Sequence, residues 1–193
     1  VTSWVDVRKS PEWSYSTNMY AVDFSADGEY IFAGAQSGTV YLFAKDNSTP
    51  LWSYQPDGSG VRSVGISANG EYMVAGKYDG NSGKVYLFGK NSSTPQWTYA
   101  TGNYVSSVSI SEDGRYIVAG NVDDKVFFFH RDSGTPIWTY ESENDISAVA
   151  ISADGKYVVA ADSLDGNIFL FNENSSTPLW SSATGHVQAL DIS

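Results

Sequence analysis

Apolar and polar residues along this chain alternate over short stretches, then run together over equally short ones. Val61 to Ser67 alternates, with Val64 and Ile66 on one face, the period of a half-buried strand. Tyr72 to Gly76 is apolar without alternation, which predicts a strand covered on both faces. Val85 to Phe88 and Gln96 to Tyr99 read as two further strands. Ala68-Asn69-Gly70 is a tight turn, since Asn tolerates turn backbone angles and Gly supplies positive φ. The polar segment Lys77 to Gly83 is a loop, and Asn91-Ser92-Ser93-Thr94-Pro95 is a second turn. Pro95 opens the fourth strand, where a missing N–H is tolerated. Nothing has a helical period or helix caps.

This four-strand unit recurs. Ile66-Ser67-Ala68-Asn69-Gly70-Glu71-Tyr72 returns, with its apolar strand, from Phe24, Ile110 and Ile151. The turn glycines Gly28, Gly70, Gly114 and Gly155 stand 42, 44 and 41 residues apart. A second marker, Thr-Pro-x-Trp, places Trp52, Trp97, Trp138 and Trp180 at one position per unit, with Ser10-Pro11-Glu12-Trp13 a divergent copy. Short strands and tight turns repeated every ~40 residues predict an all-β fold, a β-propeller of four-stranded antiparallel blades. Strand a of each blade is expected innermost and strand d outermost. A large aromatic at one fixed position per repeat is expected to pack between blades.

Four complete blades fall at about 20–54, 61–100, 105–141 and 147–182. Residues 3–8 read as strand c and 12–16 as strand d of a partial blade within 1–16, and 187–193 as a lone strand a. Joining the two ends gives a fifth blade without strand b, leaving strands a and c too far apart to pair. The 193 residues are therefore expected to be one propeller segment of a longer chain, with self-association through exposed edges as the alternative.

The stretch from strand a to strand c resembles WD40 repeats. Ser152-Ala153-Asp154-Gly155-Lys156-Tyr157 followed by Asp165-Gly166-Asn167-Ile168-Phe169-Leu170-Phe171 is similar to that family's turn and Asp-Gly third strand, with Leu-Phe in place of its Trp-Asp. Gly185-His186 is similar to its Gly-His before strand a. The stretch from c to d resembles quinoprotein-type (PQQ-like) propellers: Asp132-Ser133-Gly134-Thr135-Pro136-Ile137-Trp138 carries their Asp-x-x-Thr before a Trp, with Pro where they have Gly. That resemblance implies that Trp52, Trp97, Trp138, Trp180 and Trp13 dock between neighbouring blades. Neither resemblance fixes an activity, because propellers host unrelated functions.

Charge and composition narrow the partners. Acidic residues number 22 against 11 basic, a net charge of −11, which argues against nucleic acid, whose binding needs a basic surface. No apolar run approaches the ~18 residues of a spanning helix, so membrane insertion is not expected. The absence of cysteine removes disulfides, thiolate metal sites and a cysteine nucleophile.

Candidate chemistry is sparse. His130 and His186 are the two histidines; His130 reads as structural, and His186 lies in a d-to-a loop. Asp79, Asp123, Asp124, Asp162 and Asp165 cluster in b-to-c loops. Asp79 to Gly83 and Asp162 to Asn167 offer oxygens to a hard cation, but turn chemistry explains the same residues, so neither metal nor cofactor is expected. The b-to-c and d-to-a loops together carry Asp57, Asp79, Asp123, Asp124, Glu141, Glu143, Asp145, Asp162 and Asp165 against Arg62, Lys77, Lys84 and Lys125. This defines a possible interaction face of Asp79, Asp123, Asp124, Asp145, Asp162, Asp165 and His186. Asn47, Asn91 and Asn174 head glycosylation sequons in c-to-d turns. The expected role is a non-enzymatic scaffold for protein–protein or cell-surface contacts, at an extracellular or surface location, whose partner is another protein or its own copy. The alternative is a quinoprotein-like or lactonase-like enzyme whose active site lies in other blades.

Overall fold

The structure is a computed structural model, and it describes residues 11–192 except 57, 59, 80, 81, 165, 186 and 188. Sixteen strands form four sheets of four, each an antiparallel meander. The first blade is β1(Met19–Phe24), β2(Tyr30–Ala35), β3(Val40–Ala44) and β4(Trp52–Tyr54). The second is β5(Val61–Ile66), β6(Tyr72–Lys77), β7(Lys84–Gly89) and β8(Trp97–Ala100). The third is β9(Val105–Ile110), β10(Tyr116–Asn121), β11(Lys125–His130) and β12(Trp138–Glu141). The fourth is β13(Ile146–Ile151), β14(Tyr157–Asp162), β15(Asn167–Asn172) and β16(Trp180–Ala183). No α-helix occurs among the described residues.

The apolar runs lie where their lack of alternation requires. β6, β10 and β14 are buried along nearly their whole length, because each is sandwiched between neighbouring blades. Strands β1, β5, β9 and β13 lie side by side. They surround a channel of about 390 Å³ to which Asp23, Val64, Ser107, Ala148 and Leu190 contribute. Strand a is thus innermost and the blades are radial.

Each blade repeats the same turn chemistry. The buried Ser25, Ser67, Ser111 and Ser152 donate from Oγ to Asp27, Asn69, Asp113 and Asp154 and accept the N–H of Tyr30, Tyr72, Tyr116 and Tyr157. Hydrogen bonding to Lys156 and Ser152 holds the Asp154 carboxyl down to about 2. The turns also join blade to blade: Ala26 N–H donates to Ala68 O, Ala68 N–H to Glu112 O and Glu112 N–H to Ala153 O.

Tryptophan forms the main joint. The indole N–H of Trp52 donates to Lys90 O at 2.7 Å, that of Trp97 to Arg131 O at 2.6 Å and that of Trp138 to Glu173 O at 3.1 Å. In each case the acceptor opens the c-to-d turn of the next blade. The same rings lie 5.5, 5.2 and 5.3 Å from Phe88, Phe129 and Phe171 of that next blade. Close approach also dictates small residues on strand b. A Cβ on Gly34, Gly76 or Gly120 would meet Val61, Val105 or Ile146 of the following blade at 2.5, 2.5 and 2.4 Å.

The two flanks depart from this order. Residues 12–16 carry no regular strand, contrary to the strand d expected there, and the strand c expected at 3–8 lies outside the described residues. Trp13 nevertheless makes the joint, donating to Lys45 O at 2.6 Å and stacking 5.6 Å from Phe43. At the other end, 189–192 have no regular strand, although Val187 O accepts a hydrogen bond from Ser147 Oγ at 2.9 Å. The pairing of 187–193 with 3–8 also lies outside the described residues. Trp180, with no described partner for its indole, is 49% exposed, and Val22 is 56% exposed where its counterparts Val108 and Val149 are 6% and 5%.

Trp97→Ala and Trp138→Ala should each lower the unfolding free energy by about 3–5 kcal/mol, the scale of a large aromatic removed from a core. Trp180→Ala should lower it by no more than about 1 kcal/mol. Denaturant unfolding of the three variants checks this, and equal losses at all three positions would contradict the joint.

Candidate functional site

In an antiparallel meander the b-to-c and d-to-a loops leave the sheet at the same end, and here they are bonded together. Tyr78 N–H donates to Gly60 O, Val122 N–H to Tyr104 O and Ser163 N–H to Asp145 O, while Thr101, Ser142 and Thr184 N–H donate to Gly83, Asp124 and Gly166 O. Six loop-to-loop bonds join the loops of the second, third and fourth blades into one continuous rim along the channel mouth.

In the second, third and fourth blades the residue closing strand b anchors the loop from beneath, whereas the first blade has Ala35 there. Asn121, fully buried, accepts from Asp123 and Lys125 N–H on Oδ1 and donates from Nδ2 to Thr101 O. Lys77, 4% exposed, pairs with Asp79 at 3.0 Å. Asp162 is the fourth-blade equivalent and departs from the expected solvent-facing acid. It is fully buried, and its oxygens accept the backbone and side-chain N–H of Asn167 at 3.1 and 2.8 Å. A carboxylate that organises its own loop is not displayed to a partner.

Three of the expected face residues do converge. The Asp145 carboxyl is raised above the ordinary carboxylate range by loss of solvent, then by the adjacent Asp124 and by Asp123. Asp124 reaches that position because it adopts φ 63°, the one non-glycine among the described residues with positive φ, in the turn position that Gly38 and Gly166 fill in the first and fourth blades. Asp tolerates this region better than most side chains. Asp79 and Asp123 are each beside a lysine, Asp123 at 3.6 Å from Lys125. Asp165 and His186 lie outside the described residues. Among the described residues no group of three or more His, Cys, Asp or Glu is placed to hold a metal.

A cation–aromatic stack that sequence patterning missed stands beside these acids. The Arg62 guanidinium lies 5.2 Å from the Tyr78 ring, and Tyr78 lies 4.3 Å from Tyr104. A cavity of about 540 Å³ at the channel mouth is lined by Arg62, Tyr78, Ser106, Asp145, Ser147 and Val187. The available signal was departure from the repeat: Tyr78 and Tyr104 are aromatics at loop positions that carry none in the other blades.

His130 ends strand c, at the opposite end of the blade. It pairs with Asp132 at 3.4 Å and meets Tyr116 edge-on at 5.5 Å. The sequon asparagines are exposed on that same end. They occupy equivalent turns but not equivalent positions. Asn47 accepts the Thr49 N–H, the part played by Ser92 and Ser175 toward Thr94 and Thr177; Asn91 and Asn174 stand one residue earlier.

Four radial four-stranded sheets joined through repeated tryptophans define a β-propeller. The family model PQQ_2, described as outer membrane protein assembly factor BamB, matches residues 13–141, and the chain belongs to this family of PQQ-like propeller repeats. A WD domain, G-beta repeat, matches residues 134–172. No curated protein gives a significant match to the chain.

Asp145→Asn should raise the melting temperature at neutral pH and leave it unchanged below about pH 3.5. The folded state raises this carboxyl's affinity for a proton, so its penalty on stability is absent below the unfolded value and complete above the folded one. Thermal melts at both pH values check the sign, and a decrease at neutral pH would contradict the crowding of Asp123, Asp124 and Asp145.

Proposed function

We propose that this chain is a non-enzymatic propeller scaffold whose acidic loop face receives a basic protein surface. The carrying observation is the convergence of Asp123, Asp124 and Asp145 on the hydrogen-bonded rim, where loss of solvent first, and then Asp124 and Asp123, raise the Asp145 carboxyl. Carboxylates held together against repulsion create a negative field that steers cationic partners and is screened by salt. The matched families support the same reading: WD repeats commonly mediate protein interactions, and the PQQ_2 model is named for a factor in outer membrane protein assembly. Self-association is the other form such contact takes, favoured by the uncovered Val22, Phe24 and Trp180 on the two flanks. An exported or cell-surface setting belongs to this proposal, supported by the exposure of Asn47, Asn91 and Asn174 on one end.

Replacing Asp123, Asp124 and Asp145 together by Lys should abolish retention of basic proteins by the immobilised chain at about 50 mM salt. The difference from the unsubstituted chain should shrink toward about 0.5 M, where screening is nearly complete. Retention that ignores the substitutions at low salt would overturn the assignment of this face.

A further inference from the structure

A third cavity lies at the seam of the third and fourth blades, about 230 Å³ in volume, with Tyr140, Ser142, Glu143, Asp162, Asn167 and Phe169 among its lining residues. That exceeds the ~30 Å³ share of one water.

Its first unusual member is Ser142. The residue is 8% exposed, and its Oγ is buried with no hydrogen-bond partner. The equivalent hydroxyls are satisfied: Thr101 Oγ1 donates to Asn103 O and Thr184 Oγ1 to Gly166 O. All three residues donate their backbone N–H to the b-to-c loop in the same way, and they differ in the residue that follows. Gly102 and Gly185 both adopt φ 89° and let the loop curl back. Glu143 stands in their place without positive φ. The Ser142 hydroxyl is without a partner, and the residue after it brings a carboxylate to the same cavity.

The remaining lining is acidic and aromatic. Asp162 accepts two hydrogen bonds from Asn167, and a carboxylate has about four acceptor positions. Among the described residues, neither Glu143 nor Asp162 is in an ion pair. The Tyr140 and Phe169 rings lie 5.2 Å apart. The Tyr140 hydroxyl is raised by burial, then by Glu143 and Asp162, so both carboxylates bear on this one pocket.

The exposed Glu143 carboxylate, the negative field of the buried Asp162 behind it, a buried hydroxyl without a partner and ring faces favour a compact organic cation. A divalent metal is a poorer match, since a hard cation takes six to eight oxygens. An ammonium brings three N–H donors and gains from aromatic faces. We propose that this cavity binds a primary alkylammonium, the head of a lysine side chain or of a free amine. The site does not depend on the protein-contact reading of the rim.

The test is a 15N-resolved NMR titration of the whole chain with Nα-acetyl-lysine N-methylamide, its Nε-acetylated analogue, cadaverine and calcium chloride. The lysine amide should saturably shift the amides of Ser142, Glu143 and Asn167, and the acetylated analogue should not. Glu143→Gln, at an exposed position, should weaken binding about tenfold or more, and Ser142→Ala about threefold. Saturation by cadaverine alone keeps the site and assigns it to free amines. Absence of saturation by both amines, equal binding of the acetylated analogue, an unaffected Glu143→Gln variant, or calcium saturating the same amides at lower concentration would each overturn the proposal. None of these outcomes alters the expected behaviour of the Asp123, Asp124 and Asp145 replacements.

Discussion

The indole N–H reaching across to a neighbour's carbonyl is the constraint on which the rest of this structure depends. A blade alone is a small sheet with both faces apolar, and it cannot bury either face by itself. The tryptophan covers the following blade with its ring and satisfies a carbonyl at the start of that blade's c-to-d turn. One side chain thus sets spacing and angle at once, because a displaced ring loses both the stack and the bond. The glycines of strand b complete the fit by letting the next inner strand approach. Stability in such an array is close to a sum of blade terms and nearest-neighbour terms, so loss of one joint is felt mainly by the two blades it links.

Much of this was legible in the sequence, for an identifiable reason. Strand type follows from period-two alternation or its absence, and β5 to β8 fall within a residue or so of the stretches read from Val61 to Tyr99. Repetition then extends one good reading to the other blades. The flanks were less legible. Trp13 docks on the first blade at its marker position, yet the described segment around it forms no strand, since docking a ring requires only one residue in position.

The site was legible in outline and not in detail. That acidic loops share one end follows from the meander. Whether a given carboxylate faces water does not: Asp162 and Asp124 are similar in sequence, but one is buried beneath Asn167 and the other crowds Asp145. The deciding facts are a left-handed backbone at Asp124 and the buried position of Asp162 at the end of strand b. The unpartnered Ser142 hydroxyl was equally hidden, because the bonding of a hydroxyl depends on the path of its loop and not on its place in the repeat.

The two halves of each tryptophan joint also set how such a chain can change in length. Donor and acceptor are separated by 32, 38, 34 and 35 residues at the four joints, a little under one repeat. Any stretch of one full repeat therefore carries one indole and one receiving carbonyl, wherever the cut is made. Duplicating or deleting such a stretch leaves every remaining ring with a receptor, whereas a fractional insertion strands one of each. Genetic change is thereby quantised, and whole-blade steps are the moves this architecture absorbs without redesigning an interface.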